Sequence, residues 1–241
     1  MNNNNSFEME EFTRSGLSMS AAFPALMRKV YVWMTLALAI TGITAYGVAT
    51  SPALLSLIFA SKATFFGLII AEFVLVFAIS GAINRLSLST ATLLFVLYSV
   101  VNGATLSSIF LMFSMTTIGK VFFITAGTFA VMAFVGYTTK TDLTSMGKLL
   151  FMALIGLIIA TVVNIFMKSA GFDLILSYIG VLIFVGLTAY DTQKIKHLLQ
   201  LAPDAGEHMQ KMALLGALTL YLDFVNLFLY LLRIFGGSNK D

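Results

Sequence analysis

Seven stretches of nearly continuous apolar sequence, each about twenty residues long, alternate with short polar breaks along this chain. They run approximately Val30–Ala49, Ala63–Ile83, Thr90–Phe113, Gly119–Tyr137, Lys148–Met167, Phe172–Tyr190 and Met212–Ile234. A barrel strand would alternate apolar and polar at every second residue, and these stretches do not. About twenty apolar residues is the length an α-helix needs to cross a bilayer with all its backbone hydrogen bonds satisfied. The pattern therefore predicts an all-α, polytopic membrane protein with seven transmembrane helices. A further apolar run, 51–60, is too short to span and is expected to extend the second helix or lie at the interface. TQKIKHLLQ, after the sixth span, reads as that helix continued into water and ended by Pro203.

Composition sharpens the picture. The 241 residues are 59% hydrophobic and 10% charged, against about a quarter charged in an average soluble domain. There is no cysteine, which excludes disulfides, thiolate metal sites and cysteine nucleophiles. Lys and Arg are distributed unevenly between the two sides of the spans. The N-terminal side holds nine (Arg14, Arg28, Lys29, Arg85, Lys140, Lys148, Lys194, Lys196, Lys211), and the opposite side five (Lys62, Lys120, Lys168, Arg233, Lys240). The richer side is expected to be cytoplasmic, which places the N-terminus inside and the C-terminus outside. Residues 1–26 read as a disordered polar cytoplasmic tail, 27–236 as the seven-helix domain and 237–241 as a short extracytoplasmic tail. The start of the chain lacks the basic and early apolar regions of a cleaved secretory signal. The basic residues anchor loop ends without forming a patch, so nucleic acid is not an expected partner. His197 and His208, in the longest polar break, read as solvated surface residues.

Three acids stand where lipid makes them costly, at ~2.5–3.5 kcal/mol for a carboxylate at mid-bilayer. Asp223 is in the middle of the seventh span, Glu72 near the middle of the second, and Asp191 closes the sixth. Gly216, Thr219, Asn226 and Tyr230 share the helical face of Asp223, which gives the seventh span a polar seam. The sixth and seventh spans are joined by one loop and should be antiparallel neighbours. With that loop at about 200–210, Asp191 and Asp223 differ in depth by roughly 6 Å, within what tilt can absorb. Two carboxyls that meet in low dielectric share a proton and titrate in coupled steps. Such a pair suits a pH sensor, a cation-binding element or an acid–base catalyst. The plain alternative is a protonated, hydrogen-bonded acid that holds helices together. Arg85, ending the second span at the level of Asp191, reads as a positive-inside anchor or, more sharply, as a latch that pairs with a carboxylate.

GLTAYDTQKIK (186–196) followed by LYLDFVNLFLYLLRIFG (220–236) resembles the Bax inhibitor family. The resemblance extends from about residue 25 to the end of the chain. It implies a fold in which the seventh helix is central in a bundle of the other six. It also implies a pH-sensitive calcium leak, with the paired aspartates of helices six and seven as the proton sensor. Asp191 and Asp223 match those aspartates, and Arg85 matches the family's helix-two arginine by placement. Glu72 and Asn226 are the expected supporting polar residues. Calcium would be the transported ion, held weakly and transiently by Asp191 and Asp223. Membrane lipid, and no enzyme cofactor, completes the expectation, with a bacterial inner membrane as the location.

Two rivals belong to other classes. A non-transporting regulator would bind another membrane protein, such as a membrane protease or an apoptosis-type partner. An intramembrane aspartyl protease also pairs a Tyr-Asp on one span with an Asp on the next. Here the second motif reads YLD, without the glycines that give such proteases close backbone approach, and Pro24-Ala25-Leu26 and Pro52-Ala53-Leu54 both precede the aspartates. The expectation is therefore a protein that is not an enzyme.

Overall fold

The computed structural model describes the backbone of residues 4–236 and the side chains of residues 22–236. The expected N-terminal tail falls mostly, and the tail at 237–241 entirely, outside the residues described with side chains. The chain is all-α. Its helices are α1 (Asn4–Ala49), α2 (Pro52–Phe59), α3 (Lys62–Ala82), α4 (Leu88–Leu106), α5 (Ile109–Met112), α6 (Met115–Thr138), α7 (Thr144–Met167), α8 (Ala170–Gln200) and α9 (Glu207–Gly236). Among the described residues, seven segments are long and apolar enough to cross a membrane: Ala22–Ala49, Lys62–Ala82, Leu88–Met112, Met115–Thr138, Thr144–Met167, Ala170–Gln200 and Glu207–Gly236.

Local chemistry sets the breaks between spans. Ser51, Ser87, Ser114 and Ser169 each precede a helix, and each side chain accepts a backbone N–H from its first turn. The run at 51–60 becomes a separate short helix, α2, because Ser61 restarts the chain in extended geometry before α3. α7 ends at Lys168 in the left-handed conformation, φ 51°. Inside the spans, Thr125, Thr161, Thr188 and Ser99 donate to the carbonyl four residues back, so their hydroxyls are satisfied without water. α8 continues to Gln200, as TQKIKHLLQ leads one to expect, and stops before Pro203.

The packing is unequal. In its most apolar window α9 is 67% buried, against 6% for α3 and 11% for α7. α9 packs on α8, α1, α6 and α4, whereas α3 packs mainly on α4, and α7 on α8. Leu214, Leu220, Tyr221 and Leu227 of α9 are fully enclosed.

Candidate functional site

Asp223 is buried, only 5% exposed, because the two turns on either side of it carry enclosed Leu and Phe residues. Its carboxyl neighbours that of Asp191, which is half-buried on α8, where α8 and α9 pack together. α9 begins at Glu207, earlier than the expected Met212, so Asp223 is sixteen residues from its helix start while Asp191 is nine from its helix end. That is a depth difference of about 10 Å at 1.5 Å per residue. The six-residue loop 201–206 can reach ~20 Å, enough to absorb it.

Two glycines of neighbouring helices seat the Asp191 turn. A Cβ on Gly136 of α6 would overlap the Ala189 carbonyl, so only glycine allows α6 and α8 to approach here. A Cβ on Gly147 of α7 would overlap the Tyr190 ring. Gln193, one turn further, donates to Thr141 O at 2.8 Å and accepts from Leu143 N at 2.9 Å, which ties α8 to the α6–α7 loop.

Among the described residues, three buried polar side-chain atoms have no hydrogen-bond partner: Glu72 Oε1, Thr192 Oγ1 and Asp223 Oδ2. Two belong to the intramembrane acids, and the third is the next residue after Asp191. Buried polar atoms are overwhelmingly satisfied in folded proteins, so these three atoms call for a proton, a water or an ion as partner.

The other candidates are placed differently. Arg85 is exposed in the turn after α3 and forms no ion pair among the described residues. The structure thus does not bring the expected latch to Asp191, and the cation acting on Asp191 is Lys194, one turn along α8. The ion pair among the described residues is Arg233 Nη1–Asp173 Oδ1, 3.6 Å, between the C-terminal end of α9 and the start of α8. Asn226 turns back on its own helix and donates to Leu222 O at 2.8 Å.

Glu72 joins a second polar cluster on a different face of α9. Thr41 Oγ1 lies 3.0 Å from Ser99 O and 2.7 Å from the Tyr221 hydroxyl, which lies 2.8 Å from Asn102 Oδ1. Asn102 Nδ2 donates to Glu72 Oε2 at 3.1 Å. Two hydroxyl protons cannot serve the first three contacts. If the Asn102 amide is turned over, its NH2 group supplies the missing proton, and the fourth contact then closes only with a proton on Glu72. The hydrogen bonding of this cluster is therefore tied to the protonation of Glu72. Sequence reading missed Thr41, Asn102 and Tyr221; the available signal was an Asn in mid-span, which lipid would not tolerate on an outer face.

Fold and site together define a polytopic membrane bundle with acids buried between its spans. Residues 24–240 match the family described as "Bax1-I: Inhibitor of apoptosis-promoting Bax1". The chain is 47% identical over 232 residues to "Inner membrane protein YbhL" of Escherichia coli K12, covering 95% of this chain and 99% of that one. It is 46% identical over 215 residues (89% and 93%) to an uncharacterised protein of Borreliella burgdorferi. With an uncharacterised protein of Deinococcus radiodurans the identity is 39% over 215 residues (89% and 90%). The chain belongs to the Bax inhibitor family, a family of non-catalytic membrane proteins linked to ion homeostasis.

Proposed function

We propose that this protein is a pH-sensitive calcium leak of a bacterial inner membrane, with Asp191 and Asp223 as its proton sensor and the N-terminus in the cytoplasm. The observation that carries the reading is the approach of the two carboxyls inside the bundle, with Asp223 Oδ2 left unpartnered. An Asp–Asp pair takes up and releases protons in coupled steps, so its charge changes with pH as a unit. That change alters the attraction between α8 and α9 and biases the bundle between two states. In this reading α9 is the axis about which the other spans are arranged.

Calcium binds six to eight oxygens in a tight site. No group of three or more metal-ligating side chains occurs among the described residues. Two carboxyls with backbone and water oxygens hold the ion loosely, as a path that must also release it requires. The inner-membrane location follows the name of the E. coli relative, and the orientation follows the nine-to-five basic bias. A latch through Arg85 would need another state, with the 85–87 turn moved against α8, and is not part of this mechanism. The test is calcium flux into liposomes holding the purified protein, from about pH 5 to about pH 8. Flux that changes with pH, and loses that change in Asp191→Asn and Asp223→Asn, supports the sensor. No flux at any pH overturns the leak and favours the membrane-regulator reading.

A further inference from the structure

We infer that the groove between α1 and α6 is a binding site for one anionic phospholipid, its phosphate at Arg28 and one acyl chain along the floor formed by α9. α1 and α6 both pack on α9 without packing closely on each other. The gap between them is a cavity of about 690 Å³, within the ~300–1,000 Å³ usual for ligand sites.

Its length fits half a bilayer. The lining runs along α1 from Pro24 to Leu38, fourteen residue steps or about 21 Å. Half of a bilayer with its headgroups is ~20–22 Å. A smaller cavity of about 100 Å³ shares Leu38, Phe122 and Phe224 with it and continues the same track.

The two ends of the groove differ chemically. Arg28, Tyr31 and Tyr137 line one end, and Arg28 is exposed with no ion pair among the described residues. Lys196 adds a second positive charge there, donating to Tyr137 O at 2.7 Å and sitting 5.1 Å from the Tyr137 ring centroid. Apart from Thr35 the rest is apolar, with Met34, Leu38, Phe122, Ala126, Ala130 and Phe134 along it. A cation and two tyrosines above an apolar track complement a phosphate above an acyl chain. An arginine serving only as an interfacial anchor would have no such track beneath it. Because Phe224 forms part of the floor, the lipid would rest beside the residue that follows Asp223.

The test is native mass spectrometry of the full-length protein in detergent, offered equal phosphatidylglycerol and phosphatidylcholine with identical acyl chains. One phosphatidylglycerol should be retained in preference. Arg28→Gln should cut that preference about fivefold, the effect of removing one basic residue from an anionic surface. Ala130→Phe, a filling change on the exposed groove wall, should abolish retention of both lipids, and Phe166→Ala on lipid-facing α7 should change nothing. Thermal melts of each variant confirm folding. Equal retention of the two lipids by the wild type would overturn the proposal. So would retention indifferent to Ala130→Phe, or a preference unchanged by Arg28→Gln.

Discussion

α7 and α3 are the two most hydropathic spans of this molecule and the two least buried, whereas α9 is less apolar and by far the most enclosed. In water this order would be reversed. In a bilayer the lipid is as apolar as leucine, so apolarity places a helix in the membrane without placing it in the core. Close packing and polar contacts select the interior. α9 carries Tyr221, whose hydroxyl meets Thr41 of α1 and Asn102 of α4, and Asp223, which neighbours Asp191 of α8. α7 exposes Ile155, Ile158, Ile159, Val162 and Phe166 to lipid and needs no partner for them.

The sharpest way to break this contrast is through backbone approach. Gly136→Ala sets a Cβ against the Ala189 carbonyl, and neither backbone can yield easily. It should cost ~3 kcal/mol or more in thermal unfolding in detergent, the upper end for overpacking, because backbone meets backbone. Gly156→Ala on α7, with nothing near the added carbon, should stay within ~0.5 kcal/mol. Equal effects would mean that the α6–α8 contact is not close.

A smaller effect is expected from packing alone. Leu227→Ala, at a fully enclosed position on α9, should destabilise by about 2 kcal/mol. Phe166→Ala, 82% exposed on α7, should be close to neutral in the same melt.

Polar contacts come next. Tyr221→Phe removes the hydroxyl between Thr41 and Asn102 and should cost about 0.6–1.7 kcal/mol, the range for hydrogen bonds between spans. Glu72→Gln should be better tolerated, because its amide donates to Asn102 as a protonated Glu72 would. A large loss with Glu72→Gln would show that the cluster needs the charge.

The smallest effect belongs outside the spans. Asp142 is exposed, accepts the Thr144 backbone N–H at 2.9 Å, and is held below the ordinary carboxylate range by Thr144. A lowered carboxyl favours the folded state above its unfolded value and loses that contribution as pH falls through its folded value. Asp142→Ala should therefore lower the melting temperature slightly near neutral pH and not at all in acid.

The spans were legible because lipid imposes length and continuity on sequence; their boundaries agree with the structure to within five residues, except that the first starts eight residues before Val30 and the sixth span runs ten past Tyr190. The two aspartates were legible for the same reason, as acids in apolar runs. What supports them was not. Gly136 and Gly147 look like any other span glycines until the opposing backbone and ring are in place. Arg85 shows the converse failure: its level along the span was readable, but not the direction of its side chain, which points into the open. Asn226 shares the helical face of Asp223, yet its amide finds a carbonyl one turn back on its own helix.

The most direct test of the proton-sensing pair is a double-mutant cycle on calcium flux, comparing Asp191→Asn, Asp223→Asn and the double variant across pH. If the two carboxyls act as one unit, each single change removes the pH dependence and the double variant behaves like either single one. Independent losses that add in the double variant, or a pH dependence surviving in either single variant, would contradict it.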